Sequence, residues 1–254
     1  MIFIKTAKEI ELLRASNLLV SKALAEVGKA IKPGVSTLKL DKIAEEYLRD
    51  YGGIPGFLGY NGFPATLCTS LNDEVVHGIP SEMELRLGDI LSVDCGVKFQ
   101  GYFGDSAYTF PVGELSDENM SLMLNTRESL FKGIEAAVAG NRLGDIGYAI
   151  QNHAEQAGYS VVREMVGHGL GQNLHEEPEV PNYGRRGSGI KLKEGMVICI
   201  EPMINMGTRF IKQDKDGWTI RTSDQKPSAH YELAVAITTG EPDVLSTFEY
   251  IEDK

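Results

Sequence analysis

Cysteine, histidine and tryptophan are scarce in this sequence. The chain has three cysteines, five histidines and one tryptophan among its 254 residues. Cys68, Cys95 and Cys199 are odd in number, lie far apart and form no C-x-x-C pair. This pattern argues against both a disulfide framework and a structural zinc site. We interpret the three thiols as reduced residues of a core or a pocket.

Basic clusters and long apolar runs are also missing. The 25 basic side chains are outnumbered by 36 acidic ones, which gives a formal net charge of −11. Because binding a phosphate backbone takes clustered lysine and arginine, a nucleic-acid partner is disfavoured. No apolar run approaches the roughly 18 residues of a membrane span, and the N-terminus lacks the apolar segment of a signal peptide. We therefore expect a cytoplasmic protein with no DNA or membrane partner.

The remaining composition is that of an ordinary globular protein. Hydrophobic residues make up 42% and charged residues 24% of the chain, with 28 glycines. These values exclude a disordered, collagenous or coiled-coil chain. The length falls between one and two typical domains, and we expect one compact α/β domain that covers residues 1–254.

Two consecutive helices are predicted near the N-terminus. Thr6-Ala-Lys-Glu9 is a capping box, in which the first and fourth side chains bond the free N–H groups of the first helical turn. Apolar residues then recur with helical spacing until Pro33-Gly34 ends the helix. A second helix begins at Ser36 or Thr37 and ends at Gly52-Gly53.

The same pattern returns about 106 residues later. A helix is predicted over Asp117 to Ala139, and a second helix ends at Gly158. Three positions of the first pair recur at an offset of 106, namely Gly34 as Gly140, Leu40 as Ile146 and Gly52 as Gly158. The segment 88–94 similarly aligns with 195–201 at an offset of 107. The repeat predicts a duplicated, pseudo-symmetric domain with halves of about 1–115 and 116–254.

A pair of aspartates is predicted to face each other across a β-hairpin. Asp94 ends the apolar run Ile90–Val93, where burying a charge is costly unless something compensates it. Asp105 lies in the next strand, and a turn about Lys98 to Gly101 would place it directly opposite Asp94. Two facing carboxylates repel each other unless a proton or a cation lies between them.

The second half repeats this arrangement with two glutamates. Glu201 follows Val197–Ile200, and Glu232 precedes Leu233–Ile237. Four carboxylates at equivalent strand ends of two related halves would converge on the pseudo-axis. A multivalent cation site explains such a group better than four independent surface acids do.

Three histidines are candidates for the same site. His168 and His175 lie in the glycine-rich segment Gly167–Pro178, where the backbone can approach a site closely. His77 follows two valines, so it is either a satisfied core residue or a site residue. His153 and His230 have no comparable setting, and we interpret them as surface or structural residues.

With these residues the sequence resembles the bacterial type I methionine aminopeptidases over essentially its whole length. The segments that carry the resemblance are Val76-His-Gly-Ile-Pro80, Val166-Gly-His-Gly169, His175-Glu-Glu-Pro178, Ile200-Glu-Pro-Met203, Asp216-Gly-Trp-Thr219 and Tyr231-Glu232. The resemblance implies the "pita-bread" fold, a duplicated α/β (α+β) domain with a central antiparallel sheet, outer helices and a dinuclear metal site.

The resemblance also assigns roles to individual residues. It implies five metal ligands, which are Asp94, Asp105, His168, Glu201 and Glu232. One histidine with four carboxylates suits Mn²⁺, Fe²⁺ or Co²⁺ as well as Zn²⁺, so the identity of the two divalent ions stays open. A hydroxide that bridges the ions would attack the substrate carbonyl.

The implied reaction removes the initiator methionine from nascent proteins whose second residue is small. In it, Glu201 moves the hydroxide proton to the leaving amine, His175 bonds the carbonyl oxygen, and His77 contacts the scissile amide nitrogen. The family further implies a monomer that associates transiently with the ribosome.

An apolar pocket for the methionine side chain is implied as well. Its wall is expected to consist of Phe57, Tyr60, Phe63, Cys68, Leu174 and Trp218, each of which could instead be a plain core residue. Asn61 and Leu174 stand where many family members have histidine and phenylalanine, so the shape of this pocket should differ from theirs.

Two other functions are compatible with the same fold. Proline-specific aminopeptidases and dipeptidases share the five ligands, but they usually carry an additional N-terminal domain, whereas Trp218 and Pro202-Met203 resemble the methionine enzymes. A non-catalytic binding scaffold should have lost ligands, and here all five are present.

Overall fold

Antiparallel strands and flanking helices make up the protein, as described by a computed structural model of residues 1–252. The helices are α1 (Ala7–Ala30), α2 (Thr37–Asp50), α3 (Asp117–Glu135), α4 (Leu143–Gln156) and α5 (Glu249–Glu252). The first-half strands are β1 (Ile54–Pro55), β2 (Leu67–Leu71), β3 (Glu74–Val76), β4 (Ile90–Phe99) and β5 (Tyr102–Pro111). The remaining strands are β6 (Ser160–Val161), β7 (Gly167–Gly169), β8 (Glu176–Val180), β9 (Val197–Ile200), β10 (Met203–Asn205), β11 (Ile211–Gln213), β12 (Ile220–Thr222), β13 (Ser228–His230), β14 (Leu233–Ala236) and β15 (Asp243–Val244).

Local capping signals fix where the first helices begin. The Thr6 side chain accepts a hydrogen bond from the backbone N–H of Glu9, and the Glu9 carboxylate accepts one from the backbone N–H of Thr6 at 2.8 Å. Ser36 caps α2 with a single hydrogen bond, in which its side chain accepts the backbone N–H of Lys39 at 3.3 Å. The predicted starts of both helices are therefore confirmed. None of the helices in residues 1–252 is both long and apolar enough to cross a bilayer.

Helix α3 is shorter than predicted. It ends at Glu135, four residues before the expected Ala139. The reason is a long-range contact, because the backbone N–H of Ala139 donates to the carbonyl oxygen of Thr238 at 2.8 Å. The chain leaves the helix early to make this bond.

The six glycines of the sequence repeat share one backbone conformation. Gly34, Gly52 and Gly88, and their counterparts Gly140, Gly158 and Gly195, all have φ between +79° and +102°. Only glycine adopts this left-handed region without strain, which explains why glycine stands at each position. The division into halves of about 1–115 and 116–254 stays a prediction.

The strands form four antiparallel sheets. Strand β4 pairs with β5 on one side and with β1 and β2 on the other, while the largest sheet has the order β15-β14-β9-β7-β8. Two three-stranded sheets have the orders β13-β10-β6 and β11-β12-β3. Ala107 and Glu232 form an isolated antiparallel bridge, which links β5 to the segment just before β14. The predicted antiparallel core with outer helices is confirmed.

The predicted pairing of Asp94 with Asp105 is wrong by two residues. Asp94 pairs with Ala107, and Asp105 pairs with Gly96, because Phe99 pairs with Tyr102 and the turn contains only Gln100 and Gly101. Both carboxylates lie within strands rather than at strand ends. They are diagonal neighbours on one face of the hairpin, so they still approach each other.

Candidate active site

A single cavity contains every residue that the sequence analysis assigned to the site. Its volume is about 580 Å³. The predicted residues that line it are Phe57, Tyr60, Phe63, Cys68, His77, Asp94, Asp105, His168, Leu174, His175, Glu201, Trp218 and Glu232. Their individual roles stay predictions, but the fold brings them together from both parts of the chain.

The four carboxylates come from three structural contexts. Asp94 and Asp105 project from β4 and β5, Glu201 directly follows β9, and Glu232 directly precedes β14. Asp105 and Glu232 are almost completely buried, with 3% and 2% of their surfaces exposed. The backbone of Glu232 is fixed by the hydrogen bond from its N–H to the carbonyl oxygen of Ala107 at 2.9 Å.

These carboxylates lack the hydrogen-bond partners that buried charges need. Oδ1 of Asp94, Oδ1 of Asp105 and Oε1 of Glu232 have no partner among residues 1–252. Burial and the neighbouring acids raise the pKa of Asp105 and of Glu232 well above the ordinary range. Burial also raises the pKa of Asp94 to about 6. A buried acidic group of this kind needs a compensating positive charge.

His168 is held in the form that can bind a cation. Its Nδ1 lies 2.9 Å from the carbonyl oxygen of Gly169, which can only accept, so Nδ1 carries the proton. The lone pair of Nε2 then faces Asp105 Oδ2 at 3.6 Å and Glu201 Oε1 at 3.7 Å. Burial lowers the pKa of His168 to about 3, so the imidazole is neutral at pH 7. A hydrogen bond that fixes the tautomer in this way is typical of metal-binding histidines.

The imidazole of His175 contacts the side chain of Tyr60. The Tyr60 hydroxyl lies 2.8 Å from Nδ1 of His175. Burial raises the pKa of the Tyr60 hydroxyl, which therefore carries its proton at pH 7. When this hydroxyl donates to Nδ1, the proton of the neutral His175 ring is on Nε2, where it can be donated. The His168 and His175 rings meet edge to face, with centroids 4.3 Å apart.

His77 has an unusual backbone conformation. Its φ is +60°, in the left-handed region that non-glycine residues seldom occupy. The next residue must be small, because a Cβ on Gly78 would lie 2.2 Å from the carbonyl oxygen of Thr69. Burial lowers the pKa of His77 to about 4, so this imidazole is also neutral at pH 7.

A buried ion pair anchors the segment that carries His175. Lys5 Nζ lies 2.5 Å from Glu176 Oε2, and both side chains are at least nine-tenths buried. The other oxygen of Glu176 accepts the backbone N–H of Asn173 at 3.2 Å. The N-terminal segment therefore stabilises the loop between β7 and β8.

One end of the cavity is apolar. Phe63 and Trp218 meet edge to face with ring centroids 5.1 Å apart, and Leu174 is 1% exposed. Phe57 packs over Gly96, where an added Cβ would lie 2.5 Å from its Cε1. The cavity thus places an aromatic, apolar surface beside the acidic group, which suits an unbranched apolar side chain.

Two further residues lie at the site. His230, which we interpreted as a surface or structural residue, is not at the surface: it is 2% exposed and lines the cavity, with Nε2 3.6 Å from Glu201 Oε2. The Cys199 thiol lies within 4.8 Å of ligand atoms of Asp105, His168 and Glu232. Period-two spacing was the available signal, since His230 and Cys199 each precede a predicted ligand by two residues.

The side chains fit divalent cations. Ligand atoms of Asp105, His168, Cys199 and Glu232 lie within 4.8 Å of one another, and those of Glu201, His230 and Glu232 form an overlapping group. Carboxylate oxygens with one imidazole suit the harder first-row ions. The unpartnered buried oxygens would gain partners when such ions bind.

Comparison with known proteins agrees with this chemistry. The sequence profile described as metallopeptidase family M24 matches residues 11–239. The chain belongs to metallopeptidase family M24. This M24 metallopeptidase is 52% identical over 250 residues to a methionine aminopeptidase of Clostridium acetobutylicum, with 98% of this chain and all of that protein covered. It is 49% identical to methionine aminopeptidase 1 of Bacillus subtilis, with 97% and 99% of the two chains covered.

Solved structures of other proteins have the same fold. The methionine aminopeptidase of Rickettsia prowazekii superposes with a TM-score of 0.96 at 40% identity, covering 97% of this chain and all of that one. An Xaa-Pro dipeptidase from Bacillus anthracis superposes with a TM-score of 0.77 at 21% identity, covering 96% of this chain and 62% of that one. The second likeness concerns the fold alone.

Proposed function

We propose that this M24 metallopeptidase is a metal-dependent methionine aminopeptidase that removes the initiator methionine from nascent proteins with a small second residue. The observation that carries the proposal is one cavity in which four carboxylates and His168 meet an aromatic pocket. Full-length identity of about half to proteins named methionine aminopeptidase supports the same function.

The proposed ligands of two divalent cations are Asp94, Asp105, His168, Glu201 and Glu232. Bound there, the cations would polarise the scissile carbonyl group and lower the pKa of water. The protein supplies the geometry, because the Gly169 carbonyl oxygen fixes the His168 tautomer and the Ala107 bridge fixes Glu232. The raised pKa values of the acids describe a site that gains stability from added positive charge.

Glu201 is proposed to move the proton of the attacking water to the leaving amine. Burial and the charge of Asp94 raise the pKa of its carboxyl in the metal-free protein. Cations bound beside it would favour the ionised carboxylate, which can accept a proton. His175 would donate its Nε2–H to the carbonyl oxygen as negative charge develops there, with Tyr60 holding the required tautomer. His77 would contact the scissile amide nitrogen.

Phe57, Tyr60, Phe63, Cys68, Leu174 and Trp218 are proposed to bind the methionine side chain. Aromatic rings make favourable contacts with a thioether, which favours methionine over other unbranched side chains. Exposed Asn61 lies at the border of this pocket and is expected to tune its shape.

Further properties are proposed from the nature of the substrate. Nascent chains emerge from ribosomes, so we propose that the protein acts in the cytoplasm and contacts the ribosome transiently. The family resemblance supports a monomer. The ions are proposed to be Mn²⁺, Fe²⁺, Co²⁺ or Zn²⁺.

The test compares two peptides, Met-Ala-Ser and Ala-Pro-Ser. Protein stripped by a chelator should be inactive, and added Mn²⁺, Fe²⁺ or Co²⁺ should restore methionine release from the first peptide alone. Asp105→Asn should stay inactive at every metal concentration. Asp50→Asn, a control substitution at an exposed position on the surface, should behave as wild type.

Either alternative function has a distinct outcome in the same assay. Cleavage of Ala-Pro-Ser alone would identify a proline-specific peptidase. Absence of cleavage of both peptides by metal-loaded protein would identify a binding scaffold.

A further inference from the structure

His230 occupies a position in the cavity that no part of the proposed reaction uses. It is the last residue of β13, where it pairs with Met203 of β10. Its backbone is held on the other side by Thr109, whose hydroxyl accepts the His230 N–H at 3.0 Å and lies 2.7 Å from the His230 carbonyl oxygen. The backbone of His230 is thus fixed by two neighbouring strands, and 2% of the residue is exposed.

The Nε2 atom of His230 is buried without a hydrogen-bond partner among residues 1–252. Oε2 of Glu201 lies 3.6 Å from this nitrogen, just beyond the length of a hydrogen bond. Buried polar atoms almost always have a partner, so an unpartnered nitrogen aimed into a site needs a functional explanation.

Two imidazoles face the two oxygens of the Glu201 carboxylate. His168 Nε2 lies 3.7 Å from Oε1, and His230 Nε2 lies 3.6 Å from Oε2. The two rings differ in what they offer. The His168 nitrogen presents a lone pair, because the proton of that ring is on Nδ1 beside Gly169. One oxygen of Glu201 therefore faces a metal-binding nitrogen, and the other is free to accept an N–H.

We propose that His230 is a positioning residue that donates its Nε2–H to Oε2 of Glu201. This bond would hold the carboxylate so that Oε1 points to the cation beside His168. It would also restrict the rotation of the same carboxylate during proton transfer. Hydrogen bonds of this kind to ligating carboxylates raise metal affinity by 10- to 100-fold. The inference rests on the proposed function, because it needs Glu201 to bind a metal.

The test uses two variants of nearly equal volume. Gln keeps an N–H donor at the end of the side chain, whereas Met has none, and a thioether is a poor ligand for Mn²⁺. His230→Met should weaken Mn²⁺ binding by at least tenfold in calorimetric titration and lower kcat by a similar factor, with a small change in KM. His230→Gln should bind Mn²⁺ within about threefold of wild type.

Matched substitutions at His153 control for loss of a histidine elsewhere. This residue lies on α4 and contacts Glu128, away from the cavity. His153→Met and His153→Gln should bind Mn²⁺ as wild type does. Circular dichroism and melting of each variant establish that it is folded before the titrations are compared.

A second readout separates positioning from direct ligation. Removing an imidazole bound directly to Co²⁺ would change the visible absorption of the Co²⁺-loaded protein, so His230→Gln should leave this spectrum unchanged. A changed spectrum, or equal Mn²⁺ affinities for the Gln and Met variants, would overturn the proposal. If wild-type protein binds no Mn²⁺, the metal centre itself is wrong and this inference falls with it.

Discussion

Replacing Asp94 by a neutral residue should stabilise the metal-free protein and should reduce the stabilisation that Mn²⁺ binding provides. Asp94→Asn removes a carboxylate whose Oδ1 has no partner among residues 1–252 and whose neighbours include other acids. Burial raises the Asp94 pKa to about 6, against an ordinary value near 4. At about 1.36 kcal/mol per pKa unit, the ionised group destabilises the metal-free fold by on the order of 3 kcal/mol at pH 7.

The assay is thermal unfolding with chelator and with Mn²⁺. For a chain of this size, about 3 kcal/mol corresponds to a rise in Tm of roughly 6–12 °C for Asp94→Asn in chelator. Wild-type protein should gain about 2.7 kcal/mol from Mn²⁺ at 100 times its Kd. The variant has lost a proposed ligand and should gain much less. Asp50→Asn, at an exposed site, should change neither value.

The pH dependence of the same measurement has a defined sign. Because the folded pKa of Asp94 is raised, the folded chain binds more protons than the unfolded chain between about pH 4 and 6. The free energy of unfolding in chelator should therefore fall as pH rises through this window, and less steeply in Asp94→Asn. Equal Tm values for wild type and Asp94→Asn in chelator at pH 7 would refute the electrostatic reasoning.

Three further substitutions test other contacts. Lys5→Met leaves a buried carboxylate without its partner and should lower the free energy of unfolding in urea by about 3 kcal/mol. Tyr60→Phe removes the hydrogen bond to Nδ1 of His175 and should lower kcat about tenfold with little change in KM. Gly96→Ala places a Cβ 2.5 Å from the Phe57 ring and should raise KM for Met-Ala-Ser at least about fivefold by displacing that ring.

For each of these variants, one result would contradict the role that we assign to the residue. Unchanged urea unfolding of Lys5→Met would mean that the buried pair adds nothing to stability, and Lys5→Arg serves as its charge-retaining control. A rise in KM with constant kcat for Tyr60→Phe would assign the hydroxyl to substrate binding instead. If Gly96→Ala hydrolyses Met-Ala-Ser with wild-type KM, Phe57 does not border the methionine pocket.

Features set by neighbouring residues were predictable from the sequence. The capping box at Thr6 and the cap at Ser36 define helix starts through contacts three residues apart, so the structure has them as expected. The repeated glycines are predictable for the same reason, because each reflects the backbone conformation of its own turn.

Features set by distant contacts were not predictable. The early end of α3 depends on a bond from Ala139 to Thr238, which no local pattern indicates. The hairpin register depends on a two-residue turn at Gln100-Gly101, whereas the expected turn was longer. The Lys5–Glu176 pair joins residues 171 positions apart.

The candidate site was partly predictable because its residues stand out by type. Carboxylates beside apolar runs and histidines beside glycines are unusual enough to be recognised singly. The only local signal for His230 was its spacing of two residues from Glu232, and this spacing alone does not show that both residues lie in one strand. The pairing of β13 with β10 places His230 at the cavity. Which side chains of a short strand point to the cavity depends on the strands with which it pairs rather than on its own residues.

We propose that the buried acidic group and His168 form the metal centre of this protein. Anomalous diffraction from crystals grown with Mn²⁺ and a bound methionine product would locate the ions. We predict Mn²⁺ peaks among Asp94, Asp105, His168, Glu201 and Glu232, with the methionine side chain between Phe63 and Trp218. Mn²⁺ peaks confined to other residues, or no Mn²⁺ peak among these five residues at saturating Mn²⁺, would show that the metal centre lies elsewhere or is absent.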